Sequence, residues 1–478
     1  MGSRLVPATA PVTDAAAAAA SDNTKTPKCY DVAVIGGGVV GHGIAWAARR
    51  SGRSVALIDD APGSGASWAA AGMLAPVSEL HYQEEALLEL MLESSRLWPA
   101  FAAGLDGADS AAAEDPRDGG SGTGYLTTPT LAVGADAADR RALADLRTVQ
   151  QAAGLAVEPL TVRAARIREP LLSPGISCAF DIPADHQVDP RRLLARIGEL
   201  LAADGRCDTI ARRAAGLLWQ DGRVAGASLA GGGSVRATET IVANGLGAAA
   251  LEGLPAGLRL PLRPVHGDIL RLRVPEKLRP LLTSTVRGLV RGVSVYIVPR
   301  QDGTVVIGAT QREDALGEDL RDAAPPAAAT AGTPAGAAVS AGGVYQLLRD
   351  AQQLVPAVAE LELLEATARA RPGTPDNAPL LGRVAEPGSS AGIAGLIIAT
   401  GFFRHGILLT PVAAEICRGL LDGVADPRWA HFRPDRFSTG TQSAGPAADG
   451  PHTTFPRNTT TRNTNTRNTN PEHNKESV

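Results

Sequence analysis

The sequence has 478 residues, enough for two to three domains at about 150 residues each. Hydrophobic residues make up 44% and charged residues 20%, the composition of an ordinary globular protein. A net charge of −4 excludes a nucleic-acid binder that works by bulk positive charge.

Residues 1–28 and 438–478 are rich in small and polar residues and predict disordered tails, because they have too little apolar surface to offset backbone ordering. Between them, Asp31–Ile35 predicts a strand, followed by glycines and a helix through Trp46 to Arg50. Ser54–Ile58 predicts a second strand that ends in Asp59-Asp60. Leu87, Leu88, Met91 and Leu92 give helical spacing to Glu85–Trp98. Asp189-Pro190 reads as a cap and first-turn proline for a helix over Arg191–Leu201. Thr240–Ala243 reads as a buried strand. Asp268–Val274, Ser294–Pro299 and Thr304–Gly308 carry β signals, with Gln301-Asp302-Gly303 as a hairpin turn. A Pro/Ala/Gly/Thr-rich insertion near 318–341 predicts a flexible loop before a helix over Val344–Leu354. Leu396–Thr400 predicts a strand and Thr410–Leu421 a helix. Strand–helix alternation at both ends with hairpins between them predicts the α/β class, a Rossmann-like domain interleaved with a β-rich domain.

The four cysteines, Cys29, Cys178, Cys207 and Cys417, lie far apart and form no C-x-x-C pair. A zinc or redox site and a disulfide framework are therefore not expected, and no metal is. No run of 18 apolar residues is free of charges or breakers, and the N-terminus lacks a Leu-rich signal core. A cytoplasmic location without membrane contact is expected.

Asp31-Val-Ala-Val-Ile-Gly36-Gly37-Gly38-Val39-Val40-Gly41 is a strand running into G-x-G-x-x-G. Gly36 would make the tight turn, Gly38 would admit a diphosphate to the backbone, and Gly41 would let the helix pack close to the strand. The helix N-terminus adds free N–H groups and a partial positive charge. Asp59, 18 residues after Gly41, suits a ribose hydroxyl. The segment Gly65-Ala66-Ser67-Trp68-Ala69-Ala70-Ala71-Gly72-Met73-Leu74 is small enough for a long cofactor to lie against, and Ser67 can donate to a phosphate.

This segment resembles the flavin-contacting loop of the D-amino-acid-oxidase-like flavoproteins, and most of all the glycine oxidases within that family. The resemblance extends over residues 29–437. It is carried also by Asp185-His-Gln-Val-Asp-Pro190, Ala243-Asn-Gly245, Tyr296 through Thr310, Arg371-Pro-Gly-Thr-Pro-Asp376 and Ala399-Thr-Gly-Phe-Phe-Arg404-His-Gly-Ile-Leu-Leu409. It implies a discontinuous FAD-binding domain of residues 29–80, 160–255 and 355–437. A substrate domain of residues 81–159 and 256–354 would complete the fold.

The resemblance also implies noncovalent FAD. Relatives with covalent flavin use a cysteine where this chain has Arg371-Pro-Gly-Thr, and Cys417 falls in a later helix. Implied cofactor contacts are Gly36, Gly38, Val39, Val40 and Gly41, then Asp59 and Asp60. Ala66, Ser67, Ala71, Gly72, Met73 and Ala215 follow, with Phe402, Phe403, Arg404, His405, Gly406, Ile407 and Leu408 closing the set. Arg371 becomes the substrate carboxylate anchor, because a guanidinium offers a planar two-pronged donor. Tyr296 adds a hydroxyl donor and a pocket wall, and Arg404 is an active-site contact. Departures from the family are His266, where relatives often carry Arg or Lys, and the small Ser294.

The implied activity is FAD-dependent oxidative deamination of glycine and related small amines, in the thiazole branch of thiamine biosynthesis. The implied partners are a small amino-acid or amine substrate and molecular oxygen, with a homo-oligomer left open. Alternatives are a sarcosine or D-amino-acid oxidase or dehydrogenase of the same family and, from another class, a non-catalytic FAD-binding protein.

Overall fold

A computed structural model describes residues 28–107, 122–313, 338–386 and 392–438. Apart from Lys28, Ser438 and residues 338–341, the expected tails and insertion lie outside the described residues. In chain order the elements are β1 (Cys29–Ile35), α1 (Val39–Arg50), β2 (Val55–Ile58), α2 (Ala66–Ala69), β3 (Met73–Leu74) and α3 (Glu85–Asp106). Then come β4 (Thr130–Gly134), α4 (Ala137–Ala152), β5 (Glu158–Leu160), α5 (Val162–Arg168), β6 (Cys178–Ile182), β7 (His186–Gln187) and α6 (Pro190–Ala203). Next are β8 (Cys207–Ile210), β9 (Ala214–Gln220), β10 (Arg223–Leu229), β11 (Ser234–Val242), β12 (Arg263–Arg273), β13 (Thr285–Val290), β14 (Val293–Pro299) and β15 (Thr304–Gly308). The chain closes with α7 (Ala341–Leu354), β16 (Glu362–Gly373), β17 (Leu380–Ala385), β18 (Gly392–Thr400) and α8 (Thr410–Leu421).

Two large sheets organise these elements. The first runs β17-β18-β11-β1-β2-β8, with β10 and β9 added beside β11. The pairs β18/β11, β11/β1, β1/β2 and β2/β8 are parallel. Parallel strands need crossovers that cover the sheet, so the strands are apolar on both faces. Val32 and Val34 on one face join a core with Ile44 of α1, Ile197 of α6 and Val412 of α8. Ala33 and Ile35 on the other face join Val224 and Ala227 of the β9–β10 layer. Each fully buried aliphatic side chain contributes about 1.5–3 kcal/mol, so this two-sided burial fixes the β1–α1 turn firmly.

The second sheet runs β16-β12-β15-β14-β13-β4-β6-β5. It is antiparallel except where β13 meets β4. Its apolar face, with Leu270, Val286 and Ile297, packs on Leu347 and Leu354 of α7. Its other face is turned to the segment after α2, where Ile269, Val298 and Val306 meet Ala69 and Ala71.

Three features differ from the sequence reading. Helix α3 continues past Trp98 and through Pro99 to Asp106. Burial of Phe101 and Leu105, and the edge contacts of Phe101 with Trp46 and Trp98, offset the hydrogen bond that proline removes. That helix packs on α8 and α6, beside the first sheet, although 81–159 was assigned to the substrate domain. Conversely β6 and β16, from segments assigned to the FAD domain, pair into the second sheet. Pairing between strands so distant in sequence leaves no local trace in composition. Asp189 caps α6 as expected, accepting from the N–H groups of Arg191 and Arg192.

Candidate active site

One cavity of about 820 Å³ opens where β1, α1 and β18 of the first sheet face β12, β14 and β16 of the second. The glycine turn forms one end of it. A Cβ on Gly36, which has φ +110°, would stand 2.6 Å from the Ala243 carbonyl, and one on Gly41 would collide with the Gly36 carbonyl oxygen. Those two glycines serve the packing of strand and helix. At Gly38 the nearest atom to a Cβ would be Ser67 Oγ at 3.5 Å, so that side of the turn is left open to the cavity. No side chain caps α1 at Gly38, and Ser67 Oγ accepts from the Val39 N–H at 3.1 Å. The Ser67 hydroxyl proton therefore remains available to an anion at the helix N-terminus.

Asp59 lines the cavity and braces the turn. Its carboxylate accepts from the N–H of Gly37 at 2.6 Å and of Ala61 at 2.7 Å. Asp60 also lines it and is ion-paired with Arg213 at 3.0 Å. Val40, Ala66, Ala71, Gly72 and Met73 line the same space, as does the whole run from Phe402 to Leu408. Ala215 is outside this wall. It sits in β9, where its carbonyl accepts from Glu252 N–H at 3.0 Å, because β9 belongs to the layer behind the first sheet. Gly41 lies beneath the cavity surface and acts through packing alone.

The other end of the cavity is built on the second sheet. Arg371 leaves β16 and Tyr296 leaves β14, with β12 and β15 between them. Both intervening strands present a glycine there. A Cβ on Gly267 would lie 2.6 Å from Arg371 Cζ, and one on Gly308 would lie 2.6 Å from Tyr296 Cζ. The two long side chains thus lie across the sheet toward each other over bare backbone. Among the described residues the Arg371 guanidinium makes no hydrogen bond or ion pair. Burial pushes the Tyr296 phenol above its ordinary value, outweighing the pull of Arg371, so the hydroxyl remains a donor.

Arg404 is less open than the sequence suggested. Its Nε lies 2.7 Å from Glu79 and its Nη2 3.7 Å from Glu84. Glu79 is also ion-paired with Arg287 from β13. Burial pushes the Glu79 carboxyl up, but Arg287 and Arg404 outweigh it and hold the group down at about 2. Burial drives the His405 imidazole down to about 3 and lowers His81, so both are neutral around pH 7. Asp185 anchors the segment that carries Glu79, accepting from the N–H groups of Val77 at 2.9 Å and Ser78 at 3.0 Å.

The sequence reading missed Glu79, Glu84, His81 and Arg287. Arg287 had one usable signal, a lone charge between the valines and leucine of β13. The loop after Gly401 is stitched to the arginine strand by the Phe403 N–H, which donates to the Pro372 carbonyl at 2.9 Å.

The sequence profile of a family described as FAD dependent oxidoreductase matches residues 31–420. The chain belongs to this FAD-dependent oxidoreductase family. A glycine oxidase of Geobacillus kaustophilus is 32% identical over 403 residues, which are 82% of this chain and 93% of the relative. A bifunctional protein ThiO/ThiG of Trichormus variabilis is 30% identical over 411 residues, 85% of this chain. The chain spans 55% of that relative's length. The crystal structure of the Geobacillus glycine oxidase superposes with a TM-score of 0.70 at 30% identity, covering 85% of this chain and 98% of the other.

The residues present fit FAD. The side of Gly38 left open, the N-terminus of α1 and the Ser67 hydroxyl would accommodate a diphosphate. Asn244 also lines the cavity, and its buried Oδ1 has no hydrogen-bond partner among the described residues. Among the described residues no cysteine lines the cavity. Burial pushes the thiols of Cys207 and Cys417 up to about 11 and about 12, which makes them poor nucleophiles. No helix is long and apolar enough to cross a membrane among the described residues.

Proposed function

We propose that the protein oxidises glycine and related small amines with noncovalent FAD: glycine, dioxygen and water give glyoxylate, ammonia and hydrogen peroxide. The observation that carries this reading is Arg371. Of the other cavity guanidiniums, those of Arg213, Arg287 and Arg404 are matched by carboxylates and that of Arg369 donates to backbone carbonyls, whereas Arg371 makes no hydrogen bond or ion pair among the described residues and lies beside a phenol donor. An arginine fork left open at the substrate end suits a substrate carboxylate. The similarity to proteins named glycine oxidase supports the same substrate class. The implied place is thiamine biosynthesis in the cytoplasm, where four free thiols stay reduced.

Arg371 would grip the carboxylate with its planar fork, and the Tyr296 hydroxyl would donate to it. Gly267 and Gly308 keep both groups low over the sheet, leaving room above them. When bound, FAD would supply the hydride acceptor and the electron transfer to dioxygen. Glu79, held ionised at about 2, is too acidic to take an amine proton, so the chain contributes position and charge more than base strength. Small Ser294 and Gln311 complete the wall around the substrate end. A peroxide-coupled panel of glycine, sarcosine and D-amino acids on flavin-loaded protein tests the reading. Turnover of glycine with peroxide release supports it, and a flavin-loaded protein inert to every amine would leave the non-catalytic alternative.

A further inference from the structure

Arg369 lies two residues before Arg371 on β16, and its side chain lines the same cavity. Residues two apart on a strand share a face, so both arginines leave the same side of the sheet. Their surroundings differ. Arg371 lies over Gly267 at the substrate end. Arg369 Nε instead donates to the Ser64 carbonyl at 3.1 Å, and its Nη1 to the Ala368 carbonyl at 2.8 Å. Ser64 belongs to the segment between β2 and α2, which packs directly on the glycine turn. Gly63 N–H donates to the Gly37 carbonyl at 2.8 Å, and Ser67 Oγ accepts from Val39. Arg369 therefore stands between the diphosphate turn and the carboxylate anchor. A dinucleotide whose diphosphate rests on α1, and whose reactive ring reaches a substrate on Arg371, must run past it.

Burial lowers the Arg369 guanidinium from its ordinary value, with Glu365 acting against that, and an arginine remains charged under such a shift. Two-electron reduction with uptake of one proton turns a neutral flavin ring into an anion. A fixed positive charge nearby favours that form, and more so where water is sparse. We infer that Arg369 is a cofactor-facing cation that stabilises reduced over oxidised flavin and so raises the reduction potential of the bound cofactor. The inference rests on the proposed FAD-loaded site and adds a residue that tunes it.

The test compares midpoint potentials of the parent holoenzyme, Arg369→Gln and Arg369→Lys, each held at saturating FAD and measured against reference dyes without substrate. Arg369→Gln should weaken the reduced state relative to the oxidised by about ten- to a hundredfold, a drop of about 30–60 mV for a two-electron couple. Arg369→Lys should recover most of it, which a merely structural contact would not do. An unchanged potential in Arg369→Gln overturns the inference. So does a Gln variant that cannot be loaded with oxidised FAD, because Arg369 would then hold the cofactor without discriminating between its redox states. Since no amine enters the measurement, a protein inert to glycine that still shows the drop would sink the proposed function and leave this inference standing.

Discussion

The guanidinium of Arg371 lies across the face of Gly267, with Cζ 2.6 Å from the point where a Cβ on that glycine would stand. The absent side chain on β12 is what lets the arginine lie flat toward Tyr296. Gly267→Ala should displace Arg371 while leaving the distant diphosphate turn intact. We expect kcat/KM for glycine to fall by about tenfold to a hundredfold, because a displacement of about 1 Å misaligns the reacting bond. Flavin absorbance per chain should remain near that of the parent. Steady-state kinetics together with the visible spectrum check both, and a variant as active as the parent would show that the arginine has another place to lie.

Glu79 is the shared counter-ion of Arg287 and Arg404. Glu79→Gln leaves two guanidiniums facing each other with only Glu84 nearby, so we expect a loss of about 3–5 kcal/mol in stability, the usual cost of breaking a buried pair. The pH dependence has a defined sign. Folding lowers this carboxyl from 4.5 to about 2, so between those values the unfolded state binds more protons and stability rises with pH. The contribution is complete above 4.5 and lost as pH falls toward 2. Thermal melts of the parent should drop through that window more steeply than those of Glu79→Gln, and parallel curves would contradict the assignment.

Much of the first sheet was legible in the sequence. The β1–α1–β2 unit announces itself because glycines at fixed spacing sit between an apolar strand and a helix; Gly36 and Gly41 pack as that spacing implies, and Gly38 leaves its side open. The helix at Thr410 starts where a threonine and proline predict it. The Glu79–Arg287 pair was not legible, since its members are 208 residues apart and neither belongs to a motif. Ala215 was assigned to the cofactor through the resemblance, and its strand instead lies in the layer behind the sheet. Partner choice between distant strands, as for β6 and β16, is decided by tertiary packing that local composition does not record.

Tyr296 should act as a neutral donor across the working pH range. Burial pushes its phenol above the ordinary value of 10.0, so the proton is retained where an exposed tyrosine would begin to lose it. The affinity of a carboxylate analogue such as glycolate should therefore show no loss from this group up to pH 10. Tyr296→Phe should weaken that affinity about threefold to tenfold, the value of one hydrogen bond. A binding titration followed by flavin absorbance measures both, and an ionisation below pH 10 that disappears in Tyr296→Phe would contradict the burial argument.

We expect the flavin to be held without a covalent bond, the cavity wall having no cysteine among the described residues. Acid precipitation should release the yellow chromophore into the supernatant. Colour that remains with the washed pellet would place a covalent bond somewhere in the wall.

The most direct test of Arg371 as the substrate anchor is anaerobic reduction of the bound flavin by glycine, followed as bleaching of its visible absorbance in the parent, Arg371→Ala and Arg371→Lys. Losing a charge-assisted bond of about 1.5–3 kcal/mol should slow reduction at subsaturating glycine by about tenfold to a hundredfold or more in Arg371→Ala. Arg371→Lys should recover only part, since an ammonium lacks the planar fork. FAD content should be unchanged in all three proteins. Bleaching of Arg371→Ala at the parent rate would place the anchor elsewhere, and loss of FAD from that variant would make Arg371 a residue of the cofactor site.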